Sequence, residues 1–299
     1  MQKTVFIHTN AKQMVGAIVS RHSLKRNSSN PDGFDVRILS QEDFPFFSRF
    51  EGRKFLRGGN WRVWQNDDLQ SFTPLRFSPP EIMNYEGRAI VIDPDVFAVR
   101  DVNELFDRDM GSKSIFAKPR PGHKGKAHYV ATSVMLLDCA RLTHWNMEQQ
   151  FEALFSGDLD YEDWIELRRE PIESIGHLEP FWNDFDHLGP DTRLLHNTKR
   201  RTQPWKTGLA IDFTNRPGWF LRSLGFGTYK RKGSYLPHPD RRQEQFFFAL
   251  LGECLETGAI TREQIEAEMA HDHVRHDALQ VIDRVPPVDE ILQKAGEAA

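Results

Sequence analysis

The sequence predicts an α/β fold with a central, mostly parallel mixed sheet flanked by helices, followed by a C-terminal helical extension. Near the N-terminus, short apolar runs typical of buried strands enclose a stretch with helical periodicity. Toward the C-terminus, only helical patterns follow one another. We therefore expect one α/β domain over residues 1–215 and a mostly helical extension over residues 216–299.

The first forty residues predict a βαβ unit. Thr4–Ile7 is a fully apolar run that stops at the polar turn His8–Asn10. Between Gln13 and Leu24 the apolar residues fall on one helical face, and Asp35–Leu39 is the second predicted strand. A strand, a helix and a strand in this order are typical of a parallel sheet.

Further strands are predicted at Ala89–Ile92, Ser133–Leu137 and Arg193–Leu195. A short helix with a start resembling a capping box is predicted from Asp101 to Phe106. Lys118–Lys126 holds two prolines and two glycines in nine positions, so it is predicted to be a positively charged loop.

Two C-terminal helices are predicted. Gln243–Leu255 has helical periodicity, and Thr261 begins a further helix with a Thr-x-x-Gln capping box. This part of the chain is also acidic, since residues 253–299 hold 11 acidic and 4 basic side chains. The preceding residues hold 32 acidic and 35 basic side chains and are mildly basic.

Composition excludes several classes of protein. The 299 residues carry a formal net charge of −4, which argues against a protein that coats nucleic acid. Two cysteines, Cys139 and Cys254, cannot build a disulfide scaffold or a four-thiolate zinc site. No apolar run approaches the roughly 18–20 residues of a membrane span, and no signal peptide is recognisable. We expect a cytoplasmic protein, and peripheral contact with a membrane stays open.

Two carboxylates follow a buried strand with one residue between them, in the order Asp93-Pro94-Asp95. The two-residue period of extended chain places both on the same side, and ligands of α/β sheets collect at the carboxyl ends of strands. Carboxylates suit Mg²⁺ or Mn²⁺, which commonly bridge a protein to substrate phosphates. The competing interpretation is an ordinary turn in which the aspartates cap backbone N–H groups.

His196 ends another predicted strand, and four cationic side chains follow it. A histidine added to two aspartates favours Mn²⁺ over Mg²⁺. The cations would neutralise a diphosphate leaving group, although a solvated basic loop is an equally good interpretation. They are Lys199, Arg200, Arg201 and Lys206.

The order of these motifs resembles family 8 glycosyltransferases, retaining enzymes with the GT-A fold. Members show an Arg-containing helix ending in Pro-Glu, a strand running into Asp-x-Asp-Val, and a short Asp-Leu-x-Glu-Leu-Phe helix. The corresponding segments here are Thr73–Glu81, Arg88–Val96 and Asp101–Phe106. Ser133–Asp138 is similar to the family's next strand, and His196–Trp205 to its metal-binding His with Lys-Pro-Trp.

The resemblance implies a metal site and a donor site. Asp93, Asp95 and His196 would hold a divalent cation, usually Mn²⁺, with Mg²⁺ as the other choice, and this cation would bind the diphosphate of a UDP-sugar. Arg76 would approach the donor, and the end of the first strand would lie near the uridine. The strand-end residues are His8, Thr9 and Asn10.

The chain departs from the family at four points. Ala131-Thr132-Ser133 replaces Asn-Ser-Gly, Tyr161-Glu162-Asp163 replaces Asp-Gln-Asp, His196-Asn197-Thr198-Lys199 replaces His-x-x-Gly, and Gln203-Pro204-Trp205 replaces Lys-Pro-Trp. Glu162 and Asp163 are the candidate catalytic carboxylates, because a carboxylate facing the sugar can stabilise or attack an oxocarbenium-like transition state. An acidic run that only complements a helix dipole is the alternative.

The predicted function is retaining transfer of a hexose from a UDP-sugar to an acceptor that is a glycan, a lipid-linked molecule or a small molecule, possibly anionic. Arg200, Arg201 and Lys206 would offset charge on the departing UDP. One alternative is a nucleotide-sugar-binding module with weak or no turnover, suggested by Ala131 and Gln203. A nucleotidyltransferase is the other, although His8–Gln13 lacks the glycine-rich loop of that class.

Overall fold

The computed structural model describes residues 1–121, 129–215, 229–230 and 232–297. The chain forms two compact units, the first comprising Met1–His187 with Asp191–His196, and the second comprising Leu188–Pro190 with Asn197–Ala299. The boundary expected after residue 215 stays a prediction, since residues 216–228 lie outside the described residues.

The described residues contain the following strands and α-helices, numbered in chain order. The strands are β1 (Lys3–Thr9), β2 (Asp35–Ser40), β3 (Lys54–Arg57), β4 (Asn60–Val63), β5 (Arg88–Ile92), β6 (Val96–Ala98), β7 (Ile115–Arg120), β8 (Tyr129–Asp138), β9 (Ile175–His177), β10 (Asp184–Phe185), β11 (Leu194–His196), β12 (Thr214–Asn215) and β13 (Tyr229–Lys230). The α-helices are α1 (Met14–Arg26), α2 (Pro79–Ile82), α3 (Asn103–Phe106), α4 (Met147–Ser156), α5 (Tyr161–Ile165), α6 (Arg241–Glu256), α7 (Arg262–Ala270), α8 (Ala278–Ile282) and α9 (Val288–Glu297).

The central sheet of the first unit has the strand order β2-β1-β5-β8-β7-β9. Strand β1 is parallel to both β2 and β5, and β7 is parallel to β9. Strand β8 runs antiparallel between β5 and β7. The predicted α/β fold with a mostly parallel mixed sheet is therefore confirmed.

Helices cover both faces of this sheet. Val5 and Ile7 of β1 point to the face covered by α1 and α3, whereas Phe6 points to the face covered by α4 and α5. All three side chains are fully buried. Burial on both faces explains why β1 is a continuous apolar run instead of an alternating one. The predicted first strand, helix and second strand are all present, and α1 ends with Lys25 and Arg26, which complement the helix dipole.

A second, three-stranded sheet of the first unit has the order β10-β11-β6. Three residues separate the end of β5 from the start of β6. They form the turn Asp93-Pro94-Asp95, which joins the two sheets. Strand β11 runs antiparallel to β6 and pairs His196 with Val96. This register brings the end of a distant strand beside the Asp-x-Asp turn.

The second unit carries helices α6–α9 and the antiparallel pair β12 and β13. Helix α6 includes the predicted Gln243–Leu255. Helix α7 begins with the predicted capping box, in which Thr261 and Gln264 satisfy each other's backbone N–H groups. Within the described residues, no helix is long and apolar enough to cross a membrane.

Two expectations for local structure were wrong. Lys118–Arg120 was expected to be loop but ends strand β7, because it pairs with Tyr129–Ala131 of β8 after an irregularity at Ala117. The rest of that predicted loop lies outside the described residues, apart from Pro121. Helix α3 has no capping box: its N-cap is Val102, and the Asp101 carboxylate accepts from the Asn103 N–H.

Candidate metal centre

Asp93 and Asp95 lie in the turn between β5 and β6. The Asp93 N–H donates to the Ser133 carbonyl of β8 at 3.1 Å, and the Val96 N–H closes the turn onto the Asp93 carbonyl at 3.2 Å. Pro94 restricts the chain between the two carboxylates. The turn is therefore anchored to the central sheet on one side and to the small sheet on the other.

His196 completes the cluster from β11. Its Nε2 lies 3.2 Å from Asp95 Oδ1, and the imidazole is almost fully buried. One ligand atom each from Asp93, Asp95 and His196 lie within 4.8 Å of one another. Residues separated by about a hundred positions in sequence thus form one group of two oxygens and one nitrogen.

The donor atoms of this group fit a divalent cation. Among the described residues, no group donates a hydrogen bond of good geometry to the buried Asp95 Oδ1, although His196 Nε2 lies 3.2 Å away. An ionised oxygen in that position is costly unless a cation or a proton lies against it. Burial disfavours the charged form of His196, but the Asp95 and Asp93 carboxylates outweigh burial and raise its pKa. The pocket therefore favours positive charge, and a mixture of two oxygens and one imidazole nitrogen suits Mn²⁺.

Asp93 is held by two neighbours. Arg76 Nη2 lies 2.6 Å from each Asp93 oxygen, and His8 Nε2 lies 2.6 Å from Oδ1. Burial alone would raise the pKa of Asp93, but the Arg76 guanidinium and the His8 hydrogen bond bring it well below its usual range. Burial lowers the pKa of His8, so this histidine is neutral, and because an ionised carboxylate only accepts, the His8 Nε2 that faces Asp93 Oδ1 carries the proton. Asp93 is therefore a permanently ionised, oriented carboxylate.

Arg76 connects this carboxylate to helix α5. Its Nη1 donates to Thr132 Oγ1 at 2.9 Å, and the Thr132 hydroxyl donates to the Ile165 carbonyl at 2.7 Å. Arg76 itself lies in a buried 3-10 helix, Thr73–Phe77, whose second residue is Pro74. The Arg-containing segment expected near the donor thus contacts the Asp-x-Asp turn directly.

The end of β1 lies partly in this cluster. His8 contacts Asp93 as described. Asn10 Nδ2 donates to the Asp68 carbonyl at 3.1 Å and to Ser71 Oγ at 3.2 Å, while its Oδ1 is buried without a donor. The Thr9 hydroxyl donates to the Asn10 carbonyl at 3.2 Å. A role of these three residues in binding uridine stays a prediction.

Glu162 and Asp163 lie in the first turn of α5. The Asp163 carboxylate pairs with Arg168 at 3.3 Å. The Glu162 carboxyl group lies against Gly58, since its carbon is 3.1 Å from the position that a Cβ at residue 58 would occupy. Asp160 caps the helix, accepting from the N–H groups of Glu162, Gly58 and Gly59 at 2.8 Å each. Helix capping therefore explains Asp160, and the catalytic role of Glu162 and Asp163 stays a prediction.

The predicted phosphate-binding cations belong to the second unit. Lys206 is fully buried, and its Nζ lies 2.6 Å from Asp212 Oδ2. The Arg200 guanidinium lies over the Phe213 ring, 5.9 Å from its centroid. The Arg201 carbonyl accepts from the Leu236 N–H at 2.9 Å. Their contribution to donor binding stays a prediction.

Asn183 was missed by the sequence reasoning. It is fully buried, and its Oδ1 lies 2.8 Å from His196 Nδ1. No motif or spacing marks it, because it lies in a short 3-10 helix, Pro180–Asn183, that precedes the two-residue strand β10.

No protein-family description matches the chain, and no curated protein matches it in sequence. Solved glycosyltransferases resemble it in structure. The galactosyltransferase LgtC, solved with donor and acceptor sugar analogues, is 16% identical over 68% of this chain and 89% of LgtC, with a TM-score of 0.45. Apo GlyE of Streptococcus pneumoniae TIGR4 is 13% identical over 87% of this chain and 65% of GlyE, with a TM-score of 0.48. Mouse xyloside xylosyltransferase 1 is 14% identical over 66% of this chain and 98% of its own, with a TM-score of 0.42. These similarities do not establish a family for the chain.

Proposed function

We propose that this chain is a metal-dependent, retaining glycosyltransferase of GT-A type that moves a hexose from a UDP-sugar to an acceptor. One observation carries the proposal. Two carboxylates and an imidazole converge within 4.8 Å at the end of a central β-strand, and no described residue donates a hydrogen bond of good geometry to one buried carboxylate oxygen among them. The resemblance of the ordered motifs to family 8 glycosyltransferases supports the same conclusion.

Asp93, Asp95 and His196 would hold the cation, with Mn²⁺ favoured by the donor atoms. When bound, the cation offsets the charge of the donor diphosphate as the bond to the sugar breaks. Arg76 keeps Asp93 ionised and fixes the direction of its oxygens through two contacts of 2.6 Å. A carboxylate that needs no reorientation binds a cation without an ordering cost.

Helix α5 would supply the group that faces the sugar. Its C-terminal residue Ile165 is linked through Thr132 and Arg76 to Asp93, so the helix is attached to the metal centre by consecutive hydrogen bonds. Its first turn carries Glu162 and Asp163. We propose that one of these carboxylates stabilises positive charge at the anomeric carbon as the donor bond breaks.

The test is UDP binding and UDP release. Calorimetry with UDP, and UDP release from a panel of UDP-hexoses, are measured with Mn²⁺ and with a chelator. The wild type is expected to bind UDP in a Mn²⁺-dependent way and to release UDP. The double variant Asp93→Ala with Asp95→Ala is expected to lose binding at least tenfold, about 1.4 kcal/mol.

A matched control removes the same charge elsewhere in the first unit. Asp67 and Asp107 are exposed carboxylates, and replacing both by alanine is expected to leave UDP binding unchanged. Equal UDP binding by the Asp93/Asp95 variant and the wild type would contradict the proposal. Metal-dependent binding without UDP release identifies a nucleotide-sugar-binding module instead, and formation of UTP and hexose 1-phosphate when pyrophosphate is added identifies a nucleotidyltransferase.

A further inference from the structure

The side-chain amide of Asn183 makes two buried hydrogen bonds beside the metal centre. Its Oδ1 lies 2.8 Å from His196 Nδ1, and its Nδ2 donates to Ser133 Oγ at 3.0 Å. Asn183 is fully buried. Ser133 also accepts the Asp93 N–H through its carbonyl, at 3.1 Å. Asn183 thus connects β8, which anchors the Asp-x-Asp turn, to β11, which carries His196.

The chemistry of the amide decides the state of the imidazole. An amide oxygen only accepts hydrogen bonds, so the His196 nitrogen that faces it carries the proton. A neutral His196 is therefore protonated on Nδ1, and its Nε2 presents a lone pair. His196 Nε2 lies 3.2 Å from Asp95 Oδ1, to which no other described residue donates a hydrogen bond.

Other contacts hold the ring in this orientation. Phe185 approaches the imidazole edge-on, with ring centroids 5.4 Å apart. The Asp186 N–H donates to the His196 carbonyl at 2.9 Å. Backbone pairing and ring packing fix the position of the imidazole. The hydrogen bond to the Asn183 amide determines which ring nitrogen is unprotonated.

We infer that Asn183 is a positioning residue. Its Oδ1 accepts a hydrogen bond from His196 Nδ1–H, which leaves Nε2 unprotonated and available as a metal ligand. The inference rests on the proposed function, because it assumes that Asp93, Asp95 and His196 bind a cation. Hydrogen bonds to the remote nitrogen of a metal-binding histidine fix its tautomer and raise its basicity, and their removal costs about 10–100-fold in metal affinity.

The first test reads the tautomer in the wild-type protein without metal. Histidine ¹⁵N NMR, at a pH above the titration of His196, distinguishes a protonated Nδ1 from a protonated Nε2, and His196→Gln identifies the signal. The expected result is a proton on Nδ1 in the wild type and in Asn183→Asp, whose carboxylate also accepts. A His196 protonated on Nε2 in the wild type would overturn the inference.

The second test measures affinity for Mn²⁺ alone, from the electron paramagnetic resonance signal of free Mn²⁺. Asn183→Ala is expected to bind Mn²⁺ about 10–100-fold more weakly than the wild type. Asn183→Asp is expected to retain the affinity. Ser133→Ala, which removes only the other hydrogen bond of Asn183, is the matched control and is expected to bind like the wild type.

The outcomes separate this inference from the proposed function. Loss of Mn²⁺ binding in Asp93→Ala, together with unchanged binding in a folded Asn183→Ala, overturns the role of Asn183 and leaves the proposed function intact. No Mn²⁺ binding by the wild type overturns both. Equal weakening in Asn183→Asp and Asn183→Ala also overturns the inference, because the aspartate keeps the acceptor.

Discussion

Each of the two units contains a partly buried carboxylate beside a potential cation, and the two carboxylates differ in their hydrogen bonds. In the second unit, Asp212 accepts from Lys206 Nζ at 2.6 Å through Oδ2 and from the Tyr235 hydroxyl through Oδ1. In the first unit, no residue within the described ranges donates a hydrogen bond of good geometry to Asp95 Oδ1, although His196 Nε2 lies 3.2 Å away. Both oxygens of Asp212 therefore have a donor within the protein, whereas Asp95 Oδ1 has none of good geometry among the described residues.

The difference distinguishes a structural ion pair from a binding site. A buried carboxylate with a donor on each oxygen repays its desolvation within the protein. Lys206 lowers the pKa of Asp212 despite burial, as expected for a carboxylate with its own cation. A buried carboxylate oxygen that lacks a donor is tolerated where an external cation completes the site. The same acid-to-amide substitution should therefore mainly lower stability in the second-unit cluster and mainly lower metal affinity in the first-unit cluster.

The largest expected effect is on stability, at Asp212. Asp212→Asn removes the carboxylate charge that lies 2.6 Å from Nζ of the fully buried Lys206, which should cost about 3 kcal/mol of unfolding free energy. Thermal melting should occur about 10 °C lower. Adding Lys206→Met should recover most of the loss, since an apolar side chain of similar volume needs no partner. A single variant that melts like the wild type would contradict the comparison.

The next effect is on metal binding, at Asp95. Asp95→Asn keeps the shape of the side chain but removes the charge of the oxygen that lacks a donor. Affinity for Mn²⁺ should fall roughly 100-fold, about 2.7 kcal/mol. The unfolding free energy of the metal-free protein should change less than in Asp212→Asn, because the His196 imidazole beside Asp95 can release its proton when the carboxylate charge is removed, whereas a lysine ammonium does not do so near neutral pH. A loss of stability as large as that of Asp212→Asn would show that the two clusters are alike.

The smallest effect is the pH dependence of the Asp212 contribution. The folded-state pKa of Asp212 lies below its ordinary value, so its stabilisation is present above the unfolded-state pKa and is lost as pH falls through the folded-state pKa. The difference in unfolding free energy between the wild type and Asp212→Asn should therefore shrink below about pH 4. Urea unfolding across a pH series measures it, and a difference that grows in acid would contradict the assignment.

Buried apolar runs were the part of the fold that the sequence predicted best. The runs at Thr4–Ile7 and Ala89–Ile92 are strands because both sheet faces are covered, which makes the signal continuous. Strand β7 was missed at Lys118–Arg120, where the side chains are charged or exposed. There the strand is set by pairing with β8, a long-range interaction that local composition does not report.

The candidate site likewise contains some residues that a local sequence pattern predicted and others that only the structure revealed. Asp93 and Asp95 could be nominated because two carboxylates after a buried strand are a local pattern. Asn183 could not, since its role depends on the 2.8 Å contact with His196 Nδ1 across a different strand. Lys206 followed a cationic pattern, and only the structure revealed its pairing with Asp212.

The sequence by itself determined the α/β class, the placement of the Asp-x-Asp turn at a strand end and the residue types available for a cation. These depend on local periodicity and on side-chain chemistry. The tertiary structure alone decided that His196 meets Asp95, that Arg76 and His8 hold Asp93, and that one Asp95 oxygen lacks a donor. Hydrogen-bond partners are set by the register and packing of distant strands, which a single sequence does not specify.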